Sequence, residues 1–292
     1  MLQFLQLLVG GIAMGCIYAL IALGFVLIYK APETVNFAQG ELMMLGGFVG
    51  LAAVNGLGLP FWLALLATMA AMGVFGMTIE RVLLRPLLGQ PAFAAVMATI
   101  GLGYLLRGVV SMVPGWGTET HALSAPYRNQ ALRLGGLTLS FEHLAIILTT
   151  CALVGALFAF FRFTRLGLAM QASSQNQLAA CYMGISLPRI HRLIWGIAAA
   201  VAGAAGVLLA PITFVHMNMG WIGLKAFPAA VIGGFGSVPG ALLGGLIIGV
   251  VESLAGFYLD DGFKDVAAYV VVLAMLAFMP HGLLGDDLRK RV

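Results

Sequence analysis

The stretch Arg162–Arg192, RFTRLGLAMQASSQNQLAACYMGISLPRIHR, decides the fold. The chain around it is 61% apolar and 9% charged, and this is its longest interval that cannot sit in hydrocarbon, because Arg162, Arg165, Arg189 and Arg192 bracket a polar core from Gln171 to Gln177. It has to lie in water. Four arginines without an acid put it on the cytoplasmic side by the positive-inside bias, and the orientation of every other segment follows by counting crossings. Inside the stretch, Leu166 to Met183 mixes good helix formers with apolar positions Leu168, Ala172, Leu178 and Tyr182, which predicts one short helix. Gly184 can end that helix, and Pro188 forbids its continuation. A surface helix followed by a turn either caps two spans or offers a shape that another protein's groove can grip.

Composition agrees with membrane on both sides of this loop. A mean hydropathy of +1.03 and 9% charged residues lie far outside the soluble range, where about a quarter of residues are charged. A span takes roughly 20 apolar residues, so 292 residues leave room for about seven to nine helices and no sizeable soluble domain. The expected fold class is all-α: a polytopic integral membrane protein of about eight transmembrane helices with broken or re-entrant segments, forming one domain over residues 1–292. The net charge of +4 suits loops facing an anionic inner leaflet and gives no support to nucleic-acid binding. Cys16, Cys151 and Cys181 have no metal-ligand spacing and read as packing residues. No Lys or Arg precedes Lys30, so the start lacks the basic region of a cleaved signal and is expected to remain as the first span.

Working outward, apolar runs predict spans at 5–29, 42–54, 61–79, 92–113, 143–161, 193–212 and 266–279. Gly11 and Gly15 stand at GxxxG spacing in the first, which favours close helix approach. The second run is short and can cross only if residues 36–41 lie partly inside the membrane, facing protein or a watery cavity. Residues 225–257 are too long for one straight span and are interrupted by GGFGSVPG, 233–240; they read as a half-helix, 226–232, followed by a helix from Ala241. Gly236, Gly240, Gly244, Gly245 and Gly249 in that stretch point to tight packing. With the N-terminus outside and two crossings given to 225–257, ten basic residues fall inside: Lys30, Arg81, Arg85, the four loop arginines, and Arg289, Lys290 and Arg291 of the tail. Four fall outside, Arg128, Arg133, Lys225 and Lys264, with Arg107 buried.

The two breaks, 36–47 and 227–240, occupy comparable places in the two halves of the chain. Paired, glycine-interrupted apolar segments point to a path near the midplane; ordinary packing kinks are the plainer alternative. The candidate path and hinge residues are therefore Asn36, Gln39, Glu41, Gly233, Gly234, Gly236, Pro239, Gly240 and Glu252. Arg107 lies within reach of the outer interface, and Glu80 and Arg81 sit at a helix end, so snorkelling accounts for all three. His216 and Asn218 are expected in an outer loop. No Gly-Lys dipeptide occurs, so there is no P-loop, and HExxH, GxSxG and CxxC are absent. The five scattered histidines make no metal site. No enzyme is expected. An ion-coupled transporter or channel would need a midplane carboxylate or histidine relay, for which Glu41 and Glu252 are the material.

Ala179, Ala180, Gly184, Ile185, Leu187 and Pro188 are similar to the loop by which ABC importer permeases dock their ATPase, with Leu178 where a Glu is usual. The runs YALIALGFVLIY with NFAQGELMMLGGF, ERVLLRPL, TRLGLAMQASSQNQLAACYMGI and KAFPAAVIGGFGSVPGALLGG extend the likeness in order along nearly the whole chain. Together they resemble the permease of branched-chain amino acid ABC importers, the LivH type. Gln171 and Ser173 depart from an Arg-Ala pair common there. The resemblance implies a translocation subunit in a bacterial inner membrane that does no covalent chemistry. It also implies a second permease (LivM type), two cytoplasmic ATPases (LivG and LivF type) that bind ATP and Mg, and an external substrate-binding protein. No cofactor is expected in this chain, and the docking loop would comprise Gln171, Ala179, Ala180, Gly184, Ile185, Leu187 and Pro188.

Overall fold

Helices account for nearly all the regular structure in the computed structural model, which describes residues 2–31, 34–87, 89–117, 119–128, 130–134, 137–259, 261–279 and 281–285. In chain order they are α1 (Leu2–Tyr29), α2 (Gln39–Leu51), α3 (Phe61–Ile79), α4 (Ala92–Met112), α5 (Phe141–Phe163), α6 (Arg165–Gln175) and α7 (Gln177–Tyr182). After these come α8 (Leu187–Thr213), α9 (Met219–Gly233), α10 (Val238–Tyr258) and α11 (Asp261–Phe278). A short antiparallel hairpin, β1 (Ala131–Leu134) and β2 (Leu137–Ser140), precedes α5, with Leu132 opposite Leu139. It lies in the loop that the sequence left without regular structure.

The bundle is organised about α1 and α8, whose most apolar stretches are 89% and 83% buried, whereas that of α5 is 11% buried. Helices apolar all round belong inside a bundle, and the peripheral α3, α4 and α5 present broad apolar faces outward. Lipid tails are as apolar as leucine, so close van der Waals packing has to hold helices together in a membrane. That packing is visible along α1 and α10. Gly11 lies against Val250 and Gly249, Gly15 against Leu246 and Gly245, and a Cβ on Gly245 would come within 2.5 Å of the Ala19 backbone. The GxxxG spacing and the later glycine series thus form the two sides of one antiparallel seam.

Among the described residues, six helical segments are long and apolar enough to cross a membrane: Gln3–Tyr29, Phe61–Leu87, Ala92–Met112, Phe141–Phe163, Leu187–Thr213 and Val238–Tyr258. Six falls below the expected figure of about eight, because α2 and α9 are short and α11 carries Asp261, Lys264 and Asp265 in its opening turns. Phe61–Leu87 reaches its length by running from α3 through one π turn, Glu80–Leu84, and a 3-10 turn, Arg85–Leu87. The expected half-helix 226–232 is a full helix beginning seven residues earlier, at Met219, which carries Pro228 inside it. The expected single helix 166–183 is two, because Asn176 leaves helical geometry and its side chain accepts the Ala179 amide, capping α7 instead of continuing α6. The basic tail, residues 289–291, lies outside the described residues.

Candidate functional site

Residues 34–36 are without helix, and the chain then turns into α2 well inside the bundle. Unwound backbone in an apolar layer needs a partner for every polar group. The sequence supplies them. Asn36 Oδ1 accepts the Ala38 amide at 3.0 Å, its Nδ2 donates to Gln39 Oε1 at 3.0 Å, and the Phe37 amide donates to Thr99 Oγ1 of α4 at 3.2 Å. Gln39 Nε2 then donates to the Ala198 carbonyl of α8 at 3.3 Å. Asn36 and Gln39 are fully buried. Gln39 fits because Gly24 of α1 leaves the space its amide occupies.

The opening turns of α2 and α9 meet at this depth. Gly40 packs directly on Gly220 and Gly223, and a Cβ at any of the three would overlap the neighbouring backbone or side chain. The first turns of the two helices therefore meet, and a helix N-terminal turn favours a negative charge near it. Glu41 supplies that charge, with its carboxylate over Gly220 and its Oε1 receiving Arg107 Nη2 of α4 at 2.8 Å. The Arg107 guanidinium also lies 5.3 Å from the ring centre of Trp221. Arg107 was expected to snorkel toward the outer interface and instead turns inward to this partner. From the 1.5 Å rise of a helix, Glu41 sits about 22 Å from the far end of the α2 helix at Gly56, while Arg107 lies about 22 Å along α4 from its start and about 8 Å short of its end at Met112, so α2 sets the depth of the pair and Arg107 reaches in to it from the last third of α4.

Glu252 belongs to a second cluster. The Tyr18 hydroxyl of α1 donates to its Oε2, and Lys225 Nζ of α9 donates to its Oε1 at 3.1 Å and also to Asp265 of α11. Lys225, expected outside, thereby ties α9 to α10 and α11. The glycines of 233–240 stand apart from both clusters, about 21 Å down α9 from its start. There Gly234 takes a φ of +90°, Ser237 Oγ accepts the Gly240 amide, and Pro239 opens α10. Leu283 beyond α11 donates its amide to the Ile232 carbonyl at 2.7 Å and Leu284 donates to Gly233 at 3.3 Å, so Gly282 and Gly285 lie against Gly234. Gly236 lies in the same turn.

The arginine-framed loop projects from the end of the bundle that holds this turn. Thr164 caps α6, α7 follows Asn176, and Gly184 turns the chain with a φ of +83°. Leu187 and Pro188 open α8. Gln177 Nε2 donates to the Ala31 carbonyl at 2.6 Å, joining the loop to the end of α1. Gln171 reaches back to the Phe161 carbonyl at 3.3 Å. Ala180 packs inward and Ala179 is exposed, and Leu178, Tyr182 and Met183 project 72%, 88% and 83% exposed. Ile185 and Leu187 line a depression beside His191.

One residue escaped the sequence reading. Glu80, taken as a snorkelling helix-end charge, is 2% exposed with both carboxylate oxygens lacking hydrogen bonds, and Arg192 Nε stands 3.8 Å away. It lines a cavity of about 80 Å³ with Thr34, Gln90, His191 and Trp195. The π turn that begins at Glu80 rotates it inward, and no local pattern announces a π turn.

The family described as branched-chain amino acid transport system / permease component matches residues 7–280. The high-affinity branched-chain amino acid transport system permease protein LivH of Salmonella typhimurium is 34% identical, covering 97% of this chain and 96% of LivH. The corresponding protein BraD of Pseudomonas aeruginosa is 33% identical over 97% of this chain and 96% of BraD. Among solved structures, PsaBC from Streptococcus pneumoniae in complex with Fab superposes with a TM-score of 0.51 at 13% identity, covering 95% of this chain and 92% of that one. The likeness to PsaBC is one of fold.

Proposed function

The chain belongs to the branched-chain amino acid permease family of ABC importers, and on that premise we propose that it is the translocation subunit for leucine, isoleucine, valine or a related small amphipathic amino acid in a bacterial inner membrane. It performs no covalent chemistry. A binding protein outside delivers solute between this chain and a second permease of the LivM type, and two ATPases of the LivG and LivF type bind ATP and Mg on the cytoplasmic side. Closure of the ATPases pulls on the loop from Gln171 to Pro188 and rocks the helices as rigid bodies, alternating access. Gly184 and Pro188 transmit that pull into α8.

The observation that supports this most directly is the arginine-framed loop itself. It is two short helices with an exposed apolar face at Leu178, Tyr182 and Met183, rooted in α8 at the core of the bundle. Such a face in water asks for a partner, and a lever fixed to the most buried helices moves the bundle. The test is to co-purify the complex with its partners, reconstitute it in liposomes, and measure ATP hydrolysis and uptake with the binding protein and a panel of amino acids. Stimulated hydrolysis coupled to branched-chain amino acid uptake is expected. An active lone monomer, or uptake indifferent to ATP, would overturn the assignment.

A further inference from the structure

The Glu41–Arg107 pair is a strange object to leave at this depth. Its side chains are 13% and 23% exposed, and the adjoining Trp221 of α9 is 56% exposed. Charge inside a membrane that is open on one side cannot face lipid without heavy cost, so that side meets water or protein. The pair also has capacity to spare. Glu41 Oε2 and Arg107 Nε are both buried without a hydrogen-bond partner, so the pair is under-satisfied as it stands, and a carboxylate oxygen and a guanidinium N–H each gain a partner if the two side chains part around a solute.

We propose that this pair is an exchange site for a zwitterion. An α-amino acid in transit carries the same two charges as the pair, with an ammonium that suits Glu41 and a carboxylate that suits Arg107. As it passes, each side chain trades its partner for one end of the solute, and re-forms the pair behind it. The sum of buried charge stays at zero throughout, so neither side chain is left uncompensated. Trp221, already against the guanidinium at 5.3 Å, offers an apolar face for the side chain of the solute. The Lys225 cluster four residues along α9 fits a zwitterion less well, because Glu252 is already satisfied by Tyr18 and Lys225 and the group carries a surplus negative charge.

This inference rests on the permease reading, and the experiment separates the two. The complex is reconstituted with its partners in liposomes, and radiolabelled leucine, isoleucine and valine taken up per ATP hydrolysed are measured for the wild-type chain and for Glu41→Gln/Arg107→Gln. The double substitution removes both charges together, so no lone buried charge remains to unfold the chain. Solute moved per ATP is expected to fall about tenfold or more, since two charge-assisted contacts are lost from the passing solute. The reversed pair, Glu41→Arg/Arg107→Glu, is expected to recover part of it. Uptake per ATP at the wild-type level in the doubly neutral chain would overturn the exchange site and leave the permease reading standing. Failure of that chain to assemble would also overturn it, by assigning the pair to structure. No uptake of any of the three by the wild-type complex would overturn the permease reading, and the site with it.

Discussion

Glu80 and Glu41 are both carboxylates held inside the bundle, and neutralising them has opposite expected effects. Glu80 is buried with no hydrogen bond to either oxygen, while Arg192, a third exposed, can turn to water. Glu80→Gln removes a desolvated charge whose ion-pair partner is free to take up water, so thermal stability in detergent is expected to hold or rise. Glu41→Gln alone strands Arg107, and is expected to lose about 1–3 kcal/mol, less than a fully buried pair because both groups are partly open. Equal losses for the two variants in a thermal melt would show that the long Glu80–Arg192 contact stabilises the fold as much as the close Glu41–Arg107 pair. His216 gives a pH-dependent counterpart in the outer link. Its Nδ1 accepts the Asn218 amide at 3.2 Å at the start of α9, and burial holds its pKa below the ordinary value. A histidine depressed in the folded state adds stability at high pH, and loses it as pH falls below its unfolded pKa of about 6.5 and on through the lower folded pKa. Protection from hydrogen exchange at the first turn of α9, taken relative to the intrinsic rate at each pH, should fall over that range in the native chain and stay level in His216→Gln.

At the scale of elements, the shape of the proposed docking loop depends on two local devices, the Asn176 cap and the Gly184 turn. A Cβ at Gly184 would meet nothing within 4 Å, so any penalty there is conformational, from the φ of +83°. Gly184→Asn, which tolerates the left-handed region, is expected to keep ATPase binding near normal, whereas Gly184→Val is expected to cost about 1–2 kcal/mol locally and weaken it. Equal binding by both variants in a pull-down would remove the turn from the docking contact. The same elements show what could be read from sequence. α3 was legible to the residue at Phe61–Ile79 because Pro60 opens it and an apolar run fills it. The seam of α1 and α10 was legible as two glycine series, although which series meets which is a matter of tertiary contact. α9 was begun at Ala226, seven residues late, and the part left out carries Gly220 and Gly223, which let α2 touch it. The loop helix was drawn too long because a single Asn is a weak signal against good formers on either side. Glu41 and Arg107 were both noticed, but they stand 66 positions apart and only packing brings them together.

For the whole molecule, orientation is the proposition on which loop, path and partners all depend, and the chain carries its own reporters for it. Cys181 is exposed at the end of α7, on the arginine-framed loop, while Cys16 is buried in α1 and Cys151 lies on the open face of α5 within an apolar span. An impermeant charged maleimide reaches only a thiol in water. In vesicles that keep the cellular orientation it is therefore expected to leave the chain unlabelled, and in inverted vesicles to label it at one position, lost in Cys181→Ser. Cys16 and Cys151, away from water, should stay unlabelled in both, because only an ionised thiol adds to a maleimide. The sign of the result follows from the basic residues gathered on the loop side of the bundle, held at the negative inner leaflet by a field that the external side lacks. Labelling of Cys181 in uninverted vesicles would put that loop outside, away from any ATPase. The lever, the direction of transport and the depth assigned to Glu41 and Arg107 would all have to be redrawn from the opposite face.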